Sequence, residues 1–151
     1  MALSSFDDVL SLIRPGARVG IVGSRDYPFP GLVDSFVAAL PRGAVIVSGG
    51  NGNVDKAAAS MGRLLRYVVD EFKADWGRYG RAAGPIRNRE IVRSGVYCLV
   101  VFIDLAVKSD GSRNAIKAAK AAGVPVFIFD QKGKPVGLNV KRQPELFLYN
   151  D

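Results

Sequence analysis

Apolar residues follow two rhythms along the chain, a helical spacing of three to four and short continuous runs, and the two alternate almost to the end. Residues 5–14 carry Phe6, Val9, Leu10 and Ile13 at helical spacing, and Pro15-Gly16 stops them. Residues 18–22 form a short apolar run that ends on Gly23-Ser24-Arg25. After a loop at 26–30, residues 31–40 place Leu32, Phe36, Val37 and Leu40 on one helical face, broken by Pro41-Arg42-Gly43. A second strand at 44–47 runs into Ser48-Gly49-Gly50-Asn51-Gly52-Asn53, an alanine-rich helix covers 54–64 and a third strand covers 65–69. Residues 70–84 read as a loop, and Pro85 suits the first position of a helix over 85–94, where its missing N–H costs nothing. The most hydrophobic strand is 96–103. A helix at 112–122 with Lys117 and Lys120 outward and a strand at 124–129 complete the series, and a tail from Asp130 holds the apolar stretch 146–149.

Strands alternating with helices of about a dozen residues imply βαβ units and a parallel sheet covered on both faces. The expected architecture is α/β, a Rossmann-like three-layer sandwich with a parallel sheet of about five strands, in which 18–22 and 96–103 are central. One domain, 1–151, with its core at about 18–129, accounts for the length. In such sheets ligands gather at the carboxyl ends of the strands, where the strand order reverses.

Composition narrows the chemistry. The chain has no histidine, which removes Ser-His-Asp and Cys-His nucleophile systems and most zinc sites. Its one cysteine, Cys98, sits in the run Tyr-Cys-Leu-Val-Val-Phe and reads as an inert core residue. No apolar run approaches a membrane span, and the N-terminal residues lack the basic start and apolar centre of a signal peptide, so a cytoplasmic protein without membrane contact is expected. A net charge of +7 favours anionic partners, but the basic residues are scattered, which weighs against nucleic acid.

Three glycine-bearing turns follow three strands and would open on one edge of the sheet: Gly23-Ser24-Arg25, then Ser48-Gly49-Gly50-Asn51-Gly52-Asn53 with Asp55 beyond it, then Ser109-Asp110-Gly111-Ser112-Arg113. Each alone is what any tight βα turn needs; together they point to phosphate, because free amides at helix starts attract anions. None matches the Walker or the dinucleotide pattern, so no cofactor and no metal are expected. In the loop, Asp75, Trp76 and Tyr79 lie among arginines just before Arg87-Asn88, a set able to stack a base and hold a phosphate as readily as to cap the core.

The Gly-Ser-Arg turn, Ser-Gly-Gly with Asp55 following, and above all Ala-Asp-Trp to Gly-Arg-Ala-Ala-Gly-Pro-Ile-Arg-Asn-Arg-Glu resemble the YspA-like branch of the SLOG superfamily, from about Arg18 to Ile128. That superfamily includes the lonely-guy phosphoribohydrolases and the DNA-processing protein DprA. The resemblance implies a domain that binds nucleotides or nucleotide-derived ligands through Gly23, Ser24, Arg25, Gly49, Gly50, Asp55, Asp75, Trp76, Gly84, Arg87 and Asn88, with Gly111-Ser112 keeping the hydroxyl of the third turn. The hydrolase signature Pro-Gly-Gly-x-Gly-Thr-x-x-Glu is absent; Ser48 stands for the proline and no acidic residue follows at its spacing. A sensor or carrier of a phosphate ligand is therefore the first reading. The alternative is N-glycosidic hydrolysis of a nucleoside monophosphate, with Asp55, Asp75, Glu90 or Asp110 supplying the carboxylate. Binding of single-stranded DNA comes last.

The same relatives imply a homodimer, to which Ile86, Ile91 and Val92 could contribute. Arg87 is expected in the first turn of its helix, beside free amides, where it contacts the ligand and adds little to stability. Arg63, expected to face solvent, serves as its control.

Overall fold

Five strands, each followed or preceded by a helix that must bury an apolar stripe, can satisfy both faces of every strand only in a covered parallel sheet. The computed structural model, which describes residues 5–136, has this form. Helix α1 (Phe6–Leu10) precedes β1 (Arg18–Gly23), and α2 (Pro30–Ala38), β2 (Val45–Ser48), α3 (Gly52–Leu64) and β3 (Val68–Glu71) follow. A short helix α4 (Trp76–Tyr79) and a 3-10 turn (Gly80–Ala82) lead into α5 (Ala83–Arg93), and β4 (Cys98–Phe102), α6 (Asp110–Ala121) and β5 (Val126–Phe129) complete the order. The strands lie in the order β3-β2-β1-β4-β5 and all pairs are parallel. The Rossmann-like three-layer sandwich expected from the sequence is the observed fold.

The pleat divides the core in two. Cys98, Val100 and Phe102 of β4 face a cluster shared with α1, α2 and α3, in which Phe36, Val54 and Phe129 also lie. Leu99 and Val101, with Ile103 just beyond the strand, face the opposite cluster, built with Ile91 and Val92 of α5 and Ala115, Ile116 and Ala119 of α6. Cys98 is buried, and burial pushes its thiol up to about 12, so it behaves as a core residue. No helix among the described residues is long and apolar enough to cross a membrane.

Several boundaries differ from the sequence reading: α1 ends at Leu10 rather than at 14 and β4 spans Cys98–Phe102 rather than 96–103, and four further differences have a clear physical reason. The strand expected at 65–69 begins at Val68, because α3 closes with Arg66 in the left-handed region (φ 67°). Tyr67 N donates to Gly62 O at 2.8 Å and Arg66 N to Arg63 O at 3.1 Å, the paired bonds of a Schellman cap, so Leu65 and Arg66 belong to the helix end. The loop expected at 70–84 holds α4, whose first turn is capped by Asp75 accepting from Arg78 N. Helix α5 starts at Ala83, which makes Pro85 its third residue; the position is permitted because the first helical amides have no intrahelical acceptor. Helix α6 starts at Asp110 rather than at Ser112, which brings the whole third turn to its N-terminus. The apolar stretch 146–149 lies outside the described residues.

Candidate functional site

Strand β1 sits between β2 and β4, so the chain leaves it first in one direction and later in the other. The gap this reversal opens at the carboxyl ends of β1 and β4 is where a doubly wound sheet offers a crevice. A cavity of about 470 Å³ occupies it, lined by the β1 turn, the start of α3, Arg87 and Asn88 of α5, Asp104 after β4, and the first turn of α6. That size suits a nucleotide-sized ligand.

The first and third turns are locked together. Asp104 N donates to Ser24 Oγ at 2.9 Å, and Ser24 Oγ lies 2.7 Å from Ser109 Oγ. Ser109 Oγ in turn donates to Asp104 O at 3.4 Å, so Ser24 supplies the proton between the two hydroxyls. Both serines are buried and act as a brace between β1 and β4.

The second and third turns differ in what they leave open. At α3, Asn51 N donates to Asp55 Oδ2 at 3.0 Å and Asn53 N to Arg25 O at 2.7 Å, so these amides are committed within the protein. Gly52 is required here: its φ is 85°, and an added Cβ would lie 2.6 Å from Arg25 Cα. At α6 the N-cap Ser109 makes no side-chain cap, since its hydroxyl serves the brace. Ser112, in the same turn, is 4% exposed, and its Oγ has no hydrogen-bond partner. The third turn is thus able to receive an anion, while in the second the buried Ser48 Oγ is also unpartnered.

Arg87 reaches the site from the interior of α5, as its fifth residue, and not from a first turn of free amides. It is 8% exposed; Nη1 donates to Gly49 O at 2.7 Å and Nε to Asn88 Oδ1 at 3.0 Å. Asn88 Nδ2 donates to Asn114 Oδ1 at 3.0 Å and Gly111 O at 3.3 Å, tying α5 to α6. Burial works against the guanidinium charge and the Asp55 carboxylate works for it. The expectation that Arg87 adds little to stability does not survive this burial and bonding.

Asp55 is 3% exposed and its Oδ1 has no partner. Burial foremost, with Glu71 adding, pushes its carboxyl from 3.8 up to about 7, against the Asn51 amide and Arg87. The folded chain therefore holds a proton that the unfolded chain releases from about pH 4 upward, and this contribution to stability, full below about pH 4, is lost as pH rises to about 7. In urea denaturation across that window, wild type should lose stability relative to Asp55→Asn; parallel curves would remove the shift.

Of the residues singled out in the sequence, the cavity brings together Gly23, Ser24, Arg25, Asn51, Asp55, Arg87, Asn88, Gly111 and Ser112. Ser48, Gly49, Gly50 and Gly52 stand behind it. Ser48 is buried, Gly49 lacks room for a side chain beside Arg87 and Asp55, and Gly50 (φ 71°) approaches the Glu71 carboxylate. Asp75, Trp76 and Arg113 are not among its lining residues: Asp75 caps α4, Trp76 is 49% exposed with its ring edge against Gly84, and Arg113 lies on the exposed side of α6. Sequence reasoning missed Asp26, Asp104 and Lys108, which line the cavity; Asp104 directly follows the most hydrophobic strand, a place that itself marks the ligand edge. Among the described residues no cluster of metal-ligating side chains occurs.

No protein-family model matches the chain. It is 34% identical over 126 residues to the Gene 61 protein of Mycobacterium phage D29, an alignment that covers 76% of this chain and 98% of that protein. Identity at this level over nearly all of the relative means that the chain belongs to the family of the phage D29 Gene 61 protein.

Proposed function

We propose that the protein binds a nucleotide or nucleotide-derived phosphate ligand in the cavity between β1 and β4, as a sensor or carrier domain. The observation that carries this reading is the first turn of α6, uncapped, with the buried and unpartnered Ser112 hydroxyl lining the same cavity as Arg87. A phosphate there would meet helix-start amides, a hydroxyl donor and a guanidinium. The resemblance to the YspA-like branch of the SLOG superfamily supports the same ligand class. The homodimer it implies, and the cytoplasmic location expected from the N-terminal residues, belong to the proposal, though Ile91 and Val92 pack against the protein's own sheet and do not supply the contact.

A second reading, N-glycosidic hydrolysis of a nucleoside monophosphate, has one observation in its favour: the buried Asp55 carboxyl in the cavity, raised to about 7, could serve as an acid near neutral pH. Asp110 also lines the cavity; Asp75 and Glu90 are not among its lining residues. Native mass spectrometry of protein purified from cells reads ligand and oligomeric state together. A retained intact nucleotide is the expected result, and free base released on incubation with nucleoside monophosphates would establish the hydrolase instead. Ser112→Ala should weaken binding of adenosine monophosphate about tenfold, as loss of one charge-assisted hydrogen bond does, while leaving stability unchanged, because Ser112 Oγ bonds nothing in the protein. Equal calorimetric affinities for the two proteins would take Ser112 out of the site.

A further inference from the structure

Asp55 sits in the cavity with its two oxygens in different states. Oδ2 accepts from Asn51 N and is thereby fixed, while Oδ1 is buried and without a partner. The cation nearest in charge terms, Arg87, makes no ion pair with it; its Nη1 and Nε are held by Gly49 O and Asn88 Oδ1. Behind Asp55, Glu71 of β3 adds a like charge and is itself paired with Arg63 at 2.9 Å. Arg25 and Asp26 flank the cavity from the β1 turn, and Asp104, Lys108 and Asp110 from the β4–α6 segment. Helix α2 meets α3 through Val33, Phe36, Val37, Val54 and Ala58.

We propose that Asp55 contacts the ligand in its protonated form, Oδ1–H donating to the anionic end, so that binding of a phosphate-bearing ligand is linked to proton uptake by the protein. This rests on the phosphate-binding reading above. An ionised Asp55 would oppose an anion entering the same low-dielectric cavity, and only the acid form turns the unpartnered oxygen into a donor. No bond is made or broken other than the O–H taken from solvent. Because the carboxyl titrates at about 7 in the free protein, the coupling falls in the neutral range.

The probe is adenosine 5′-sulfate, whose own charge stays constant between about pH 6 and 8, so that only the protein titrates. Calorimetry of the full chain in buffers of different ionisation enthalpy should show proton uptake on binding, and affinity should fall about tenfold from pH 6 to pH 8. Asp55→Asn should bind with a pH dependence flat to within about twofold. The uptake measurement needs only wild type and holds even if the variant folds poorly. Binding without proton uptake, or with proton release, overturns this inference and leaves the site standing. Failure of both adenosine 5′-sulfate and adenosine monophosphate to bind at any pH overturns the site reading and this inference with it.

Discussion

Gly23→Ala is expected to destabilise the protein by about 3 kcal/mol or more, with loss of ligand binding in whatever fraction still folds. Gly23 closes β1 opposite Phe102 of β4, and Ser24 N donates to Phe102 O at 3.0 Å. An alanine Cβ would fall deep inside contact with that same carbonyl oxygen and 2.6 Å from Val54 Cγ2. The first obstacle is backbone within a central parallel pair, so relief requires β1 and β4 to separate where the Ser24–Asp104–Ser109 brace holds them. The control is Gly31→Ala in α2, where an added Cβ meets nothing within 4 Å and stability should hold or rise slightly. Urea denaturation decides between them. Equal midpoints for Gly23→Ala and wild type would mean that the strands are not so closely apposed.

Arg87→Ala is the second large effect, and it strikes stability and binding together. The substitution removes two buried hydrogen bonds, frees Gly49 O and Asn88 Oδ1, and takes away the cation that favours the ionised form of Asp55. A loss of about 2–4 kcal/mol follows from breaking a buried, hydrogen-bonded charge. Affinity for adenosine monophosphate should drop at least about tenfold in the protein that remains folded. Arg87→Lys should recover only part of either, since an ammonium cannot span both acceptors in one plane. Arg63 remains the control, although it is not simply solvated: it forms an exposed ion pair with Glu71, and its removal should cost under about 1 kcal/mol. Unchanged stability of Arg87→Ala, measured by denaturation, would contradict the buried bonds.

The sheet was legible because period and burial agree. In β4 every residue is buried, and Cys98-Leu99-Val100-Val101-Phe102 alternates between two cores that both demand apolar side chains, so a continuous apolar run is the signature. The end of α3 was not legible, since its cap uses Arg66 in a conformation where glycine is the usual signal. Residues 76–84 looked like a loop for the opposite reason. The segment is rich in glycine and arginine, yet Gly84 serves to admit the Trp76 ring, and Pro85, expected to open the helix, is its third residue, where helix amides need no acceptor. Trp76 looked able to stack a base as readily as to cap the core, and its ring edge rests on Gly84 outside the cavity lining. The glycine turns were found from their pattern, but not their division of labour. That Asn51 N and Asn53 N of the second turn are spent on Asp55 and Arg25, while the third turn has the unpartnered Ser112 hydroxyl, depends on side-chain placement and on a hydrogen bond to a distant segment. Asp104 gained its place only when β4 came to lie against β1.

Phosphate-ligand binding in the cavity between β1 and β4 is tested by titrating the isotopically labelled protein with adenosine monophosphate, followed amide by amide by nuclear magnetic resonance. Saturable shifts are expected at Gly23 to Asp26, Asn51, Asp55, Arg87, Asn88 and Ser109 to Ser112, with the largest at the first turn of α6. Shifts confined to the exposed aromatic segment around Trp76 and Tyr79, or no saturable shift at millimolar nucleotide, would contradict it.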